Sequence, residues 1–371
     1  MFIATTFAAD TKPANDVKAT TEVKKTADFK TSGIIFLDYI YDIDDLGKGK
    51  GFNIFDIERT YLTFESTITD KAKVKVTTDI YQNAKSVSLK AEDGSKPDNT
   101  DAKDIKIASY YDGWSVRLKN AYIDLDFIPL TTIRTGMIGS PWTSLEEKAW
   151  GNRFVKKTFT DAIGLFSTTD LGASAIVKLP KGYGEVTLAI LNGTSFSKPE
   201  DDKYKDIVPA ITLTPFPENN ALKKLALSGY AYLGKRANGE ESLDRNRFGG
   251  MVSFGYDFIN IGAEFDISKD QSVDRSKDIV DTNGSGLSAF GEVKFTKFLP
   301  APLDNLGILA RFDSWDPNTD SKDDSYSVIV AGLTYAVVKN VRASINLQQK
   351  SYQATDKDST SQAMCQLEVK F

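Results

Sequence analysis

An all-β transmembrane antiparallel barrel of about sixteen strands is the fold class this sequence predicts, and three observations predict it. Segments with a two-residue hydrophobic period follow one another from about residue 29 to the end of the 371-residue chain, the pattern of strands with one apolar and one polar face. The connections between those segments alternate between short and long. No stretch reaches the ~18–20 apolar residues of a membrane helix, whereas a barrel strand needs only ~9–11 residues, half of them apolar. A charged fraction of 26% and a mean hydropathy of −0.30 therefore fit a membrane barrel.

In chain order, residues 1–9 (Met-Phe-Ile-Ala-Thr-Thr-Phe-Ala-Ala) read as the end of a secretory signal, with small residues at Ala8 and Ala9. Residues 10–28 are rich in Lys, Thr, Ala and Asp with no two-residue period, and read as a flexible periplasmic leader. Residues 29–371 are then the barrel domain. Its first apolar face is Ile35, Leu37, Tyr39 and Tyr41; the second is Leu62, Phe64 and Ile68; the third is Val74, Val76, Thr78 and Ile80. Ala121, Ile123, Leu125 and Phe127 face away from Tyr122, Asp124 and Asp126. The same period returns at Val186/Leu188/Ile190, Val252/Phe254/Tyr256 and Ile259/Ile261/Ala263/Phe265/Ile267. Val341, Ala343, Ile345 and Leu347 oppose Arg342, Ser344, Asn346 and Gln348. In the last segment Ala363, Cys365, Leu367, Val369 and Phe371 alternate with Gln366, Glu368 and Lys370.

The expected strands lie near 30–42, 55–69, 72–82, 115–127, 131–138, 170–179, 183–192 and 205–215. They continue near 222–235, 246–256, 258–267, 286–297, 304–315, 325–336, 339–351 and 362–371. Short links such as 69–71, 128–130 and 180–182 alternate with long polar ones such as 43–54, 83–114, 139–169, 235–245 and 268–285. A soluble sandwich has no reason for that alternation. A membrane barrel does, because one rim carries tight turns and the other carries loops. Apolar faces then point to lipid and polar faces line the lumen. About sixteen strands leave an aqueous channel rather than a core filled with side chains.

Composition removes several functional classes. Histidine is absent, which excludes Ser-His and Cys-His nucleophiles and histidine-zinc motifs; nothing in the spacing asks for catalysis, a cofactor or a metal. The single cysteine, Cys365, rules out an intrachain disulfide. A net charge of −5 argues against nucleic acid. Asp316-Pro-Asn-Thr-Asp320 begins like a calcium loop, but Ser321 stands where the glycine is needed and Ser327 where the last acid is needed.

The connection 139–169 is the most distinctive. It holds Ser140-Pro-Trp142, then Ser144-Leu-Glu-Glu147 as a capping box, a helical stretch to Trp150, a Gly151 stop, and the cations Arg153, Lys156 and Lys157. It reads as a third extracellular loop folded inward as a constriction. Charges assigned to the lumen include Arg59, Lys73, Lys75, Arg134, Lys178, Lys294, Arg311 and Arg342, against Glu65, Asp79, Asp124, Asp126, Glu185, Glu264, Asp266, Glu292 and Asp313. The signs nearly balance, which allows a transverse field without strong ion selectivity. The basic loop tips the expectation slightly towards anions. The expected pore-lining set is Arg153, Lys156, Lys157, Trp142, Trp150, Asp124, Asp126, Arg134, Arg59 and Arg311.

Over most of its length after residue 29 the chain resembles the phosphate-selective porins of the O and P type, and more loosely the general trimeric porins. Three stretches carry the resemblance: Phe55-Asp-Ile-Glu-Arg-Thr-Tyr-Leu-Thr-Phe-Glu65, Leu118-Lys-Asn-Ala-Tyr-Ile-Asp-Leu-Asp126 and Ile133-Arg-Thr-Gly-Met-Ile-Gly-Ser-Pro-Trp142. The closing strand's terminal aromatic, Phe371, matches the habit of outer-membrane barrels, where it serves as an assembly signal. The resemblance implies a passive sixteen-strand channel for small hydrophilic solutes, assembled as a homotrimer. Its implied partners are outer-membrane lipid, lipopolysaccharide and the barrel assembly machinery. The arginine ladder of a phosphate-selective pore is not visible. Two other functions stay open on the sequence: a structural or adhesive barrel with a plugged lumen, and a sheath around a multihaem partner.

Overall fold

In the computed structural model, described over residues 28–86, 109–239, 241–273 and 278–371, sixteen antiparallel strands close into one barrel. The first eight are β1 (Asp28–Asp42), β2 (Asn53–Thr69), β3 (Ala72–Ser86), β4 (Ser109–Ile128), β5 (Thr131–Gly139), β6 (Thr169–Lys178), β7 (Gly184–Leu191) and β8 (Asp206–Leu213). The rest are β9 (Leu225–Asn238), β10 (Glu241–Tyr256), β11 (Ile259–Val273), β12 (Ile279–Lys294), β13 (Leu306–Asp316), β14 (Tyr326–Val338), β15 (Val341–Tyr352) and β16 (Thr360–Lys370). Each strand pairs with its sequence neighbours, and β1 closes on β16 through a register running from Ile34↔Lys370 to Asp42↔Gln362. Closure leaves no sheet edge, the condition for strands to cross lipid. The signal remnant (1–9) and nearly all of the leader (10–28) lie outside the described residues.

Each apolar series predicted from the period lies on the outside. Ile345 and Leu347 are 66% and 57% exposed, while Ser344 and Asn346 between them are buried. Along β11, Ile261 and Phe265 face out while Glu264 and Asp266 face in. An apolar outside and a polar inside are the reverse of a soluble protein, and make this an integral membrane barrel of the outer-membrane type. Phe371 seals the closing pair: its N–H and C=O exchange hydrogen bonds with Gly33 (3.0 and 2.8 Å), and its ring lies over the Gly33 Cα, where a β-carbon would collide with it.

Several strands run further than the period indicates. The long loops expected at 235–245 and 268–285 are mostly ladder, since β9 and β10 pair out to Asn238↔Glu241 and β11 and β12 to Val273↔Ile279. The reason is physical. Beyond the lipid the outer face no longer has to be apolar, so the hydrophobic period fades while the hydrogen-bonded ladder continues.

Among the register shifts of the described strands, those in β2 and β4 re-aim side chains inside the barrel. Phe36 pairs with Arg59 and Leu37 with Ile57, so Glu58 is the extra residue in β2. Thr77 pairs with Asn120 and Thr78 with Leu118, so Lys119 is the extra residue in β4. A bulge re-aims the side chains around it. Here Trp114, Val116 and Leu118 face out on one side of Lys119, as Ala121 and Ile123 do on the other by sequence parity, and Arg117 is turned inward.

Candidate pore and its loop

The segment between β5 and β6 holds two short helices, α1 (Pro141–Trp150) and α2 (Phe159–Ala162), with its neck tied by a Ser140 N–H to Thr168 C=O bond of 2.9 Å. Pro141 opens α1 because its fixed φ suits the first helical position. Gly151 ends it in the left-handed region (φ 69°), its N–H donating to the Glu147 carbonyl, as the sequence predicts. The expected capping box is not formed. The helix starts earlier, at Pro141, which places Ser144 inside the first turns, where its hydroxyl donates to the Ser140 carbonyl (2.8 Å).

One side of this segment is packed against the inner faces of β9 and β11–β16. Trp142 meets Tyr230 (ring centroids 4.4 Å), Phe166 meets Tyr230 and Tyr232 (4.9 and 5.1 Å), Trp150 meets Phe290 (5.4 Å), and Phe159 meets Trp315 (6.4 Å). Five wall side chains donate to loop carbonyls: Asn260 to Ala149, Arg342 to Gly151, Gln366 to Phe154, Gln348 to Val155 and Arg311 to Lys157, at 2.8–3.0 Å. Irregular backbone leaves carbonyls unpaired, and these donors satisfy them. Glu146 is buried on the same side and accepts from the Thr160 N–H (2.9 Å) and hydroxyl (2.5 Å). Burial raises its pKa to about 7, against the opposing hydrogen bonds from Thr160 and the charge of Arg311.

The other side of the segment faces β1–β5 across open space. A cavity of about 570 Å³ is lined by Tyr61, Lys75, Tyr122, Arg134, Glu147 and Arg153 among others. Next to it, sharing Tyr61, Lys119, Arg153 and Thr168, lies one of about 330 Å³ with Arg59, Arg117 and Lys157. Towards the short-turn rim a third, of about 640 Å³, shares Arg134 and adds Lys73, Asp124, Asp126, Lys178 and Glu185.

The sequence-predicted residues divide between the two sides. Trp142, Trp150 and Arg311 belong to the packed side: both rings are almost fully buried, and Arg311 is a two-point partner of Asp313 (2.8 and 2.9 Å) with its guanidinium over the Trp150 ring. Lys156 reaches Gln348 Oε1 (3.0 Å), and burial together with Arg311 lowers its pKa. Arg153, Lys157, Arg59, Arg134, Asp124 and Asp126 line the open side. Arg153 lies within 3.4–3.8 Å of Glu58, Asp161 and Glu147. Asp124 takes two bonds from Arg134 (2.7 and 2.9 Å), and Asp126 accepts from Thr132 and lies 3.5 Å from Lys73. These two acids sit near the short-turn rim and do not meet the loop cations. Sequence reasoning missed Glu58 and Arg117 as inward residues. The signal for Arg117 was present, because the apolar positions change parity between Leu118 and Ala121.

No protein-family model matches the chain, and no curated protein matches its sequence. Among solved structures the fold is similar to the outer membrane channel DcaP of Acinetobacter baumannii, at 16% identity and a TM-score of 0.63, over 94% of this chain and 98% of that one. It is also similar to the anion-selective porin from Comamonas acidovorans (11%, TM-score 0.62, 93% and 100%). A third likeness is to OmpT of Vibrio cholerae in its trimer form (9%, TM-score 0.60, 93% and 99%). At these identities the likeness is one of fold.

Proposed function

We propose that the chain is an outer-membrane porin, a passive channel for small hydrophilic solutes and ions, with the 139–169 segment folded into the lumen as its constriction. The observation that carries this reading is the division of the lumen. One wall is packed under the segment, and the other is left as a succession of polar spaces that share lining residues. A sixteen-strand barrel is wide enough to hold water after such a loop is accommodated. A trimer is the expected assembly, in line with the trimer form of the Vibrio cholerae protein. Lipopolysaccharide and the assembly machinery are the expected partners of such a barrel.

The finer reading is a weak anion preference. Arg153 and Lys157 bring positive charge to the open side, facing Arg59 and Arg117 on the wall, where low-dielectric walls focus the field. An anion-selective porin is among the proteins of similar fold. The resemblance to phosphate-selective porins points the same way without an arginine ladder to support it.

Planar bilayers test both levels. A large ohmic conductance is expected, with a reversal potential on the anion side. Replacing Arg153, Lys156 and Lys157 with Gln is expected to shift it towards cations, most clearly at low salt where screening is weak. Electrical silence of correctly assembled protein would reject the channel in favour of a plugged or sheathing barrel.

A further inference from the structure

The 330 Å³ space on the loop rim side of Arg153 has a composition unlike the rest of the lumen. Five cations, Arg59, Arg117, Lys119, Arg153 and Lys157, line it with only two carboxylates, Asp79 and Asp161, an excess of three positive charges. The three arginines are engaged. Arg59 and Arg117 both donate to Asp79 Oδ2 (3.2 and 2.8 Å), and Arg153 lies 3.5 Å from Asp161. Lys119 and Lys157 have no carboxylate partner among the described residues. Lys119 is held over the Tyr61 ring (4.0 Å), and Arg117 lies between the rings of Tyr81 and Phe196 (4.0 and 4.4 Å). Lys119 and Arg117 are thus positioned by aromatic faces before any solute arrives, which lowers the ordering cost of binding.

The same space is lined by the hydroxyls of Thr168, Ser195 and Ser197, with the two serine oxygens 2.9 Å apart. A hydroxyl both donates and accepts, so such a set matches another set of hydroxyls. Two ammonium groups with no carboxylate partner among the described residues, sharing with three hydroxyls a space at the low end of ligand-pocket volumes, describe the complement of one particular class of solute. We infer that this space is a binding station for an acidic monosaccharide, a sugar bearing a carboxylate or phosphate, whose acid lies between Lys119 and Lys157 and whose hydroxyls meet Thr168, Ser195 and Ser197. The inference rests on the channel reading, because the solute reaches the station through the lumen.

Single-channel recording of the full chain, with solute added on the long-loop side, tests it. Glucuronate and glucose 6-phosphate are expected to interrupt the current at concentrations roughly tenfold below those needed of glucose, which lacks the acid, or acetate, which lacks the hydroxyls. Whichever of the two acidic sugars blocks at the lower concentration identifies the acid. K119Q/K157Q is expected to raise the blocking concentration by about the same factor, and K119R/K157R to restore it; heat-modifiable gel mobility of both variants reports that the barrel is folded. Block by acetate equal to that by glucuronate would reduce the station to a bare anion site and overturn the sugar assignment. Unchanged block in a folded K119Q/K157Q would overturn the site itself. Absence of any conductance would instead reject the channel reading, so the two failures are distinguishable.

Discussion

The inner faces of β11–β16 and of β2–β5 carry the same kinds of side chain, acids, amides and cations, yet they live in different solvents. On the first wall Asp266, Asn346 and Glu292 are 0%, 2% and 5% exposed, because the 139–169 segment lies over them. On the second, the side chains of Lys73, Lys75 and Asp126 keep 56%, 34% and 32% of their surface. Facing the lumen is therefore not the same as facing water. On the packed wall a polar side chain is a hydrogen-bonding anchor for irregular backbone; on the open wall it is a solvated charge that acts through its field.

The largest effect that separates the two walls is expected at Trp142. Truncation to Ala leaves a cavity against Tyr230 and removes the anchor of α1, at a cost of about 3–5 kcal/mol to loop docking. Because α1 hangs from a barrel already closed by sixteen strand pairs, the loss falls on the segment. Proteases are expected to cut W142A within 139–169 while the barrel core survives, and conductance is expected to rise. A variant that lost the barrel itself would show that segment and wall fold as one unit. Close behind is Ile345→Arg, about 2–4 kcal/mol near the bilayer midplane. Arg at Asn346 is expected to be damaging as well, for a different reason: Asn346 is buried and bonded to Gln366 and Ser344 under the loop. Heat-modifiability in detergent and in lipid separates the causes, since the lipid-face penalty requires a bilayer.

That distinction was only half legible in the sequence. Period-two alternation placed Ile345 outside and Asn346 inside because the pleat enforces it, and the alternation of link lengths chose a barrel over a sandwich. It could not show that Asn346 is dry. Burial of lumen residues depends on where an irregular loop lies, and that is set by contacts such as Gln366 to the Phe154 carbonyl, which join residues 212 apart in sequence. The same limit applies to Trp142 and Trp150, which looked like pore residues from the composition of their loop. The bulge at Glu58 was hidden differently, since one extra residue shifts parity without leaving a compositional mark, whereas the bulge at Lys119 shows as the change of apolar parity between Leu118 and Ala121.

A smaller effect is expected from pH. Glu146 has a raised pKa of about 7 when docked and returns to its ordinary value near 4.5 when the segment is released into water. The docked state binds the additional proton, so docking is strongest below about pH 4.5 and weakens as pH rises through 7. Glu264, Asp266, Tyr230 and Arg311 all act on Glu146, so the measured slope belongs to the group. Cleavage of the loop by a pH-tolerant protease is expected to quicken between about pH 5 and 7 in the wild type, and E146Q is expected to flatten that dependence. A wild-type rate independent of pH would mean that another group in the cluster carries the proton.

The smallest effect is expected on the open wall, and it tests the comparison most directly. Lys75 lies 3.1 Å from Glu65, but their side chains are 34% and 49% exposed. An ion pair in that much water is worth about 0.2–1 kcal/mol at most, because solvent screens the attraction and two long side chains must be ordered to make it. K75Q is therefore expected to leave the barrel's unfolding midpoint nearly unchanged. Its charge still borders the 570 Å³ cavity beside Arg134 and Arg153, so the same substitution is expected to move the reversal potential measurably at low salt and hardly at all at high salt. The packed wall predicts the opposite pattern: removing Arg311, which is tied to Asp313 and the Lys157 carbonyl, should release the loop at any salt concentration. If K75Q destabilised the barrel as strongly as loss of Arg311, or if its electrical effect persisted unscreened in concentrated salt, the open wall would be as dry as the packed one.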